Sequence, residues 1–377
     1  MRLPVGGHVP TGTLGDVLPA AARSLGALDG VVPGIELPPS RRVCVLLVDG
    51  MGERQLVERG GHAPYLRSLL GSGPVLECGF PSTTATSMGT FGTGLMPGTH
   101  GMLGYQVLNP ATGQLLNELS WEPATDPYLW QPAPTVFERV AAEGVDVVQV
   151  GPGFFAGSGL TEAALRGARF VAAQRLDRRV DEAVAAVTSS PRSLVYVYWG
   201  DLDKVGHTHG CASWEWGEEL GRVDRAVRTL AARLPDDTLL LVTSDHGMVD
   251  VPRPARLDIA GDAELSAGIR LTGGEPRAPM LYCEPGAAAD VLATWRARLG
   301  RSFDVLSGDE AVAAGWFGPV APLARPRIGD VVGAARDPVS VHDSRHQRPE
   351  LLTLTGMHGA RTPAETRVPL LVVPPSA

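Results

Sequence analysis

The chain has 377 residues, 44% of them apolar and 20% charged, a composition that is typical of a folded globular protein and excludes a disordered chain. Acidic residues outnumber basic ones by 41 to 33, and the net charge of −8 argues against nucleic acid or an anionic membrane as the main partner. With no apolar run long enough for a bilayer, no signal-peptide core and four scattered cysteines, the sequence predicts a soluble cytoplasmic protein without a disulfide framework or a thiolate zinc site.

Unbroken apolar runs predict the strands of a parallel sheet that is buried on both faces. In chain order these runs are Val43–Val48, Val145–Val150, Leu194–Tyr198, Thr238–Thr243, Leu351–Leu354 and Val368–Val373. Amphipathic stretches between them predict helices at Thr135–Glu143, Arg178–Val187 and Glu218–Leu234. The alternation indicates an α/β fold with helices on both sides of a mostly parallel central sheet, and the site of such a fold lies at the carboxyl ends of its strands.

Residues from about 252 to 348 interrupt this alternation. The stretch is rich in turns and contains one predicted strand, Met280–Cys283, and one predicted helix, Ala287–Leu299. We interpret it as a small α/β insertion within a single domain that spans residues 1–377, rather than as a separate domain.

Acidic and histidine residues follow four of the predicted strands at the point where each strand ends. The six residues are Asp49, Asp203, His207, Asp245, His246 and His358. Mixed carboxylate and imidazole ligands suit Zn²⁺, with Mn²⁺ or Fe as alternatives. Six such ligands suit two metal ions that clamp the attacking and leaving oxygens of a phosphoryl transfer.

Each of these residues also has an ordinary structural interpretation. An Asp followed by Gly at a strand end, as at Asp49, is by itself more typical of a turn. The Asp203 and His207 pair has the spacing of two residues on an exposed helix face. The metal site is predicted by the convergence of all six at one edge of the sheet, since separate structural roles would require four unrelated coincidences.

A hydroxyl-rich segment, residues 80–94, offers the attacking group. A hydroxyl at a helix N-terminus meets a positive dipole and free N–H groups, which favour a bound phosphate. Serine and threonine also cap helices, so the spacing alone does not choose one nucleophile. The open candidates are Ser82, Thr83, Thr84, Thr86 and Ser87.

Taken together, these motifs resemble the alkaline phosphatase superfamily, most closely its nucleotide pyrophosphatase/phosphodiesterase branch. The shared pattern is an early Asp at a strand end, a Thr about ten residues before a Thr-Gly, an Asp203…His207 segment, the Asp245-His-Gly-Met element and a late His358-Gly. The resemblance extends over residues 43–375, with the insertion matched only loosely.

The resemblance implies a role for each matching position. Thr84 stands at the family's nucleophile, since Pro81-Ser-Thr-Thr84 takes the place of Pro-Thr-Lys-Thr and Thr84 lies ten residues before Gly94. One metal ion is then held by Asp49, Thr84, Asp245 and His246, and the second by Asp203, His207 and His358. His209 is an alternative ligand in the Asp203 segment, whereas His100 shapes a loop.

The sequence departs from the family pattern at two places. Ala85-Thr86-Ser87 follows the nucleophile where the family has Phe-Pro-Asn. Tyr105 stands where an Asn donates to a phosphate oxygen, so we assign Tyr105 to substrate binding and expect the substrate to sit differently or to be of another kind.

The resemblance implies a phosphodiesterase or nucleotide pyrophosphatase that forms a phospho-threonine intermediate. Its cofactors are two divalent ions, Zn²⁺ before Mn²⁺, and its partner is a small-molecule phosphate ester, with no nucleic acid polymer and no membrane. Alternatives with the same site are a phosphomonoesterase, a phosphonate hydrolase or a phosphomutase. A non-catalytic relative that binds metal or phosphate is the alternative from another class.

Overall fold

A six-stranded sheet runs through the middle of the protein in the computed structural model, which describes residues 10–347 and 349–376. In spatial order its strands are Leu371–Val373, Thr238–Thr243, Arg42–Val48, Ser193–Trp199, Asp146–Gly151 and Arg169–Ala172. Neighbouring strands are parallel except Leu371–Val373, which pairs antiparallel with Thr238–Thr243 at one edge. The predicted α/β class and the mostly parallel sheet are confirmed.

Side chains of the central strand Arg42–Val48 alternate between the two faces of the sheet. Val43, Val45 and Leu47 belong to one apolar cluster, whereas Cys44, Leu46 and Val48 belong to the other. Helices that cover the first face include Val17–Ser24, Thr84–Thr93 and Val136–Ala142, and those over the second face include Glu53–Arg59, Leu176–Thr188 and Trp214–Arg233. Both faces are therefore buried, which is why the strand is an unbroken apolar run.

A second six-stranded sheet, antiparallel throughout, contains most of the strands of residues 252–348. Its spatial order is Phe303–Ser307, Val331–Ala335, Ala278–Cys283, Ile269–Glu275, Gln106–Asn109 and Gln114–Asn117. The stretch thus holds four strands of this sheet where the sequence predicted one, and helix Ala288–Leu299 matches the prediction. The sheet is completed by the hairpin 106–117, which lies outside the stretch.

The prediction of a strand at Leu351–Leu354 is wrong. Residues Pro349–Thr353 form a 3₁₀ helix, and the following strand, Gly356–Met357, pairs antiparallel with Val249–Asp250. Of the other predicted C-terminal strand, Val368–Val373, the part Leu371–Val373 lies in the central sheet beside Thr238–Thr243. Periodicity does not distinguish a four-residue apolar run in a strand from one in a helical turn.

The remaining elements are short. The other α-helices are Pro64–Ser68, Pro97–His100, Pro127–Trp130, Gly159–Ala164, Asp201–His209, Ala263–Ser266, Gly308–Ala313 and Pro363–Thr366. The other 3₁₀ helices are Leu14–Asp16, Gly153–Phe155, Arg253–Ala255, Ile259–Gly261 and Arg325–Arg327. The other strands are Gly12–Thr13, Val75–Glu77, Arg256–Asp258, Ser340–His342 and Arg367–Pro369. In the two described ranges, no helix combines the length and the apolar character that crossing a membrane requires.

His100 is buried between the Thr84–Thr93 helix and the loop that follows it. Its Nδ1 accepts the backbone N–H of Met102, and its Nε2 lies 3.0 Å from the Thr90 hydroxyl. A Cβ on Gly89 would come within 2.6 Å of the ring, so the helix needs glycine there. Burial, together with the charge of Arg327, lowers the pKa of His100 to about 3. His100 is therefore a neutral structural residue, and its hydrogen bond to Met102 agrees with the predicted role in shaping a loop.

We expect His100 to make folding stability depend on pH. Between pH 6.5 and pH 3 the unfolded chain binds a proton at this residue and the folded protein does not, so stability falls as the pH falls. The contribution at pH 5 is a loss of about 2 kcal/mol relative to pH 7. Urea denaturation of His100→Gln at both pH values should show a smaller loss than the wild type. His209→Gln, at an exposed position, is the control. If the free energy of unfolding falls between pH 7 and pH 5 as much in His100→Gln as in the wild type, the assignment is contradicted.

Candidate metal centre

The predicted ligands come together at the carboxyl ends of the central strands. Asp49 directly follows strand Arg42–Val48, and its N–H donates to the carbonyl of Trp199 at the end of the neighbouring strand. Gly50 has φ +73°, and a Cβ there would lie 3.0 Å from Cα and Cβ of Asp203. The glycine therefore lets helix Asp201–His209 approach the end of the first strand.

The first cluster consists of Asp49, Asp245 and His246, all fully or almost fully buried. His246 Nε2 lies 3.4 Å from Asp49 Oδ1 and 3.5 Å from Asp245 Oδ2. The Thr84 hydroxyl adjoins this cluster, at 3.4 Å from Asp49 Oδ2 and 3.3 Å from His246 Nε2. One ligand atom from each cluster member lies within 4.8 Å of the others, a spacing that one metal ion can bridge.

The second cluster consists of Asp203, His207 and His358, with the same 4.8 Å limit on its ligand atoms. His207 Nε2 lies 3.2 Å from Asp203 Oδ2 and 3.3 Å from His358 Nε2. The rings of His246 and His358 stack with their centroids 3.7 Å apart, so the two clusters are adjacent. Although His358 follows a two-residue strand of a small sheet rather than a long core strand, it reaches the predicted place.

All three histidines turn the same ring atom into the centre. Nδ1 of His207, His246 and His358 lies 2.8 to 3.0 Å from the carbonyl oxygens of Gly356, Gly247 and Ser82, respectively. A carbonyl can only accept, so Nδ1 of each ring carries a proton and Nε2 is the atom that faces the cluster. This backbone hydrogen bond to the outer nitrogen is typical of metal-binding histidines.

Three carboxylates lie together in the two clusters, and one oxygen of each has a polar partner in the protein. Tyr198 donates its hydroxyl to Asp49 Oδ2 at 2.5 Å, while the N–H groups of Gly50 and His246 donate to Asp245 Oδ1. Among the described residues, the other oxygens have no hydrogen-bond partner: Asp49 Oδ1, Asp203 Oδ1 and Asp245 Oδ2. A cation at each cluster would supply the missing partner.

The pKa values of Asp49 and His207 also reflect burial and the crowding of charge in this site. Burial and then the charges of Asp245 and Asp203 raise the pKa of Asp49 well above its ordinary value. Burial lowers the pKa of His207, but the carboxylate of Asp203 outweighs it and raises the pKa to about 9. The donor set of three carboxylates and three imidazoles, with its unpartnered oxygens, fits two divalent cations such as Zn²⁺ or Mn²⁺.

Thr84 is the first residue of helix Thr84–Thr93. The first intrahelical bond runs from the N–H of Ser87 to the carbonyl of Thr83, so the preceding N–H groups lie ahead of the helix ladder. These groups and the helix dipole give the position beside Thr84 a preference for an anion.

Two of the predicted residues lie differently. His209 is 46% exposed and sits 3.8 Å from Glu215, away from both clusters, so the structure does not support it as an alternative ligand. Tyr105 contacts the site through its backbone, because its N–H donates to the buried carboxylate of Glu275. Glu275 also accepts the Thr83 hydroxyl at 2.5 Å.

Sequence reasoning missed Glu275 and Tyr198. Glu275 ends a strand before Pro276, which is typical of a turn, and it lies 192 residues from its partner Thr83. Tyr198 is an inward-facing strand residue, and its only sequence signal is its place five residues before Asp203.

A cavity of about 220 Å³ opens beside Thr84 and was also missed. Its lining is mainly apolar and aromatic, and Asp49 and Asp203 are the charged residues in it. The lining includes Met88, Leu119, Gln149, Phe155, Leu160, Phe170, Tyr196 and Tyr198. Most of these residues belong to different elements, so their convergence carries no local sequence signal.

Comparison with known proteins identifies a family from the sequence and finds the same fold among solved structures. Residues 43–361 match the family model described as type I phosphodiesterase / nucleotide pyrophosphatase. The structure of murine ectonucleotide pyrophosphatase / phosphodiesterase 5 is similar with a TM-score of 0.72 and 17% identity, covering 89% of this chain and 88% of that one. An inactive variant of that protein in complex with AMP gives a TM-score of 0.70 at 17% identity, with the same coverage.

Phosphonoacetate hydrolase from Sinorhizobium meliloti also shares the fold, with a TM-score of 0.67 and 19% identity over 91% of this chain and 92% of that one. The human ectonucleotide pyrophosphatase/phosphodiesterase family member 7 is 40% identical over 81 residues. That segment is 20% of this chain and spans only 18% of the length of the curated relative.

We expect purified protein to bind about two equivalents of Zn²⁺, one for each cluster. Chelation should lower the thermal midpoint, because three buried carboxylates then lose their counter-charge, and added Zn²⁺ should restore it. His207→Ala should lose about one equivalent by elemental analysis. His209→Ala, on the same helix but outside the clusters, should retain both. Equal metal content in the two variants would contradict the second site.

Proposed function

The chain belongs to the type I phosphodiesterase / nucleotide pyrophosphatase family, and from this premise we propose that it hydrolyses phosphoric diesters through a covalent phosphothreonine on Thr84. The observation that carries the proposal is the position of the Thr84 hydroxyl. It lies at the beginning of a buried helix, within 3.4 Å of both Asp49 and His246, and it lines the cavity.

The neighbouring hydroxyls support this choice because most of them are already engaged. Ser82 donates to the carbonyl of Ala360, Thr83 to Glu275 and Ser87 to the carbonyl of Asp245. The Thr86 hydroxyl has no partner within the described ranges, but that residue is fully buried. Thr84, at 9% exposure, is the one of the five that reaches the cavity.

We assign the first cation to Asp49, Thr84, Asp245 and His246, and the second to Asp203, His207 and His358. When bound, the two divalent cations supply charge that lowers the pKa of the Thr84 hydroxyl and stabilises the departing oxygen. Thr84 Oγ1 loses its proton to solvent and attacks phosphorus, so that a P–O bond forms to the threonine. The opposite P–O bond breaks, and the ester oxygen leaves as an alcohol after taking a proton from solvent. The N–H groups at the beginning of the helix hold a phosphoryl oxygen. Water then hydrolyses the phosphothreonine and regenerates the hydroxyl.

The cavity supports a diester with one flat, uncharged group. Phe155, Phe170 and Tyr198 supply aromatic surface, and Gln149 supplies an amide that can hydrogen bond. A nucleoside has this chemistry, and the murine neighbour has been solved with AMP. We therefore propose nucleotide-type diesters as the substrate class, with Tyr105 near the phosphoryl group.

Replacing Thr84 tests the nucleophile. Thr84→Ala should retain metal but lose turnover of bis-p-nitrophenyl phosphate by about 10³-fold or more, because no other hydroxyl replaces the attacking oxygen. Thr84→Ser should keep substantial activity. Thr86→Val is the matched control on the same helix, since it removes a buried hydroxyl without a partner, and it should remain active. Acid quench and mass spectrometry should place phosphate on Thr84, whereas phosphate on another hydroxyl would overturn the assignment.

Replacing Phe170 tests the cavity as the diester subsite. Phe170→Ala should raise KM for bis-p-nitrophenyl phosphate about tenfold, since one aryl group loses its ring contact. The KM for p-nitrophenyl phosphate should change little. Its single aryl group is the leaving group and therefore does not occupy the cavity. Phe154→Ala is the control, because Phe154 is 69% exposed.

A preference of the wild type for the monoester would favour a phosphomonoesterase, and zinc without turnover of either ester would indicate a non-catalytic relative.

A further inference from the structure

The helix that begins at Thr84 has a capping residue that does not cap. Thr83 is the N-cap residue, with extended backbone angles of φ −144° and ψ 151°, and threonine at this position usually accepts an N–H of the first turn through its side chain. Here the Thr83 side chain makes no capping hydrogen bond. Other N-cap residues of the protein do cap, including Thr135 and Ser307.

The hydroxyl of Thr83 is directed to Glu275 instead. It donates to Glu275 Oε1 at 2.5 Å, and both residues are buried, at 1% and 8% exposure. Glu275 is the last residue of strand Ile269–Glu275 in the second sheet, so the contact joins this sheet to the beginning of the helix.

Glu275 is itself fixed on two further sides. The backbone N–H of Tyr105 donates to its carboxylate. Its Cβ packs against Gly359, where an added Cβ would come within 2.6 Å of it and where φ is +124°. A side chain held in this way keeps the acceptor for Thr83 in one place.

This arrangement determines what remains at the helix N-terminus. A capping hydroxyl would occupy the N–H of the second or third residue of the helix, Ala85 or Thr86. Those are the N–H groups nearest Thr84 that can hold an anion.

We propose that Glu275 is a positioning residue that holds the Thr83 hydroxyl away from the helix and so keeps the first-turn N–H groups open for the phosphoryl group. The inference rests on the proposed function, since it assigns these N–H groups to the same substrate. It also gives residues 252–348 a part in positioning the site.

A purely structural tether between Glu275 and Thr83 predicts a different pattern of mutants. If the bond only holds two elements together, removing either partner should be harmful, and the double variant should be no better than the worse single variant. If Glu275 restrains a competing cap, the harm in Glu275→Ala comes from the freed hydroxyl, and removing that hydroxyl should restore function.

The test is a double-mutant cycle with Glu275→Ala, Thr83→Val and both together in the metal-loaded full chain. Two quantities are measured, kcat/KM with bis-p-nitrophenyl phosphate and the dissociation constant of inorganic phosphate by calorimetry. Glu275→Gln is the conservative control, because its amide oxygen still accepts the Thr83 hydroxyl. Glu275→Met, which fills the space without a carboxylate, replaces Glu275→Ala if that variant does not fold.

We expect Glu275→Ala to lower kcat/KM and weaken phosphate binding by about 3- to 30-fold, the range that corresponds to a capping interaction. Thr83→Val should stay within about threefold of the wild type, and the double variant should return to the level of Thr83→Val. Glu275→Gln should resemble the wild type.

A double variant as impaired as Glu275→Ala, or phosphate binding unchanged in Glu275→Ala, would overturn the proposal. Failure of the proposed function gives a different result. If the wild type forms no phosphothreonine, the proposed function is wrong, but phosphate binding is still compared across the wild type and the three variants.

Discussion

The structure depends on one electrostatic constraint, which is that the carboxylates of Asp49, Asp203 and Asp245 lie together in a largely buried site. Like charges at such distances repel strongly when water does not screen them, and burial alone disfavours each charge. The protein satisfies one oxygen of each group and leaves Asp49 Oδ1, Asp203 Oδ1 and Asp245 Oδ2 without a partner in the described residues. Cations at the two clusters would complete this arrangement, and several of the surrounding contacts hold it in place.

A fully buried ion pair fixes the two loops that carry histidines into the centre. Arg277 and Glu365 are both 0% exposed and form two parallel hydrogen bonds of 2.7 and 2.8 Å. Glu365 also accepts the N–H of Ala360, beside His358, and its carbonyl accepts the N–H of Gly247, beside His246. This pair therefore links the second sheet to the loops that carry His246 and His358. Losing either partner would leave an uncompensated buried charge.

The sequence predicted which acidic and histidine side chains come together because the carboxyl ends of parallel strands meet at one edge of a sheet. Asp49, Asp245 and His246 follow from that rule and from apolar runs alone. His358 was predicted from a strand that does not exist, and it reaches the centre because Ser82 and Gly359 bridge the two loops. Glu275 and the cavity residues were not predictable, since their role depends on pairing of distant segments that a local pattern does not specify.

The segment Ser82-Thr83-Thr84 shows where local sequence stops being informative. Three successive hydroxyl residues are interchangeable by propensity, but each meets a different partner. Ser82 joins the His358 loop, Thr83 contacts Glu275 of the second sheet, and Thr84 faces Asp49 and His246. Extended backbone at Thr83 turns its side chain away from that of Thr84, which begins the helix. Tertiary contacts therefore tie Ser82 and Thr83 to other parts of the chain and leave Thr84 facing the cavity, which is why we propose Thr84 as the nucleophile.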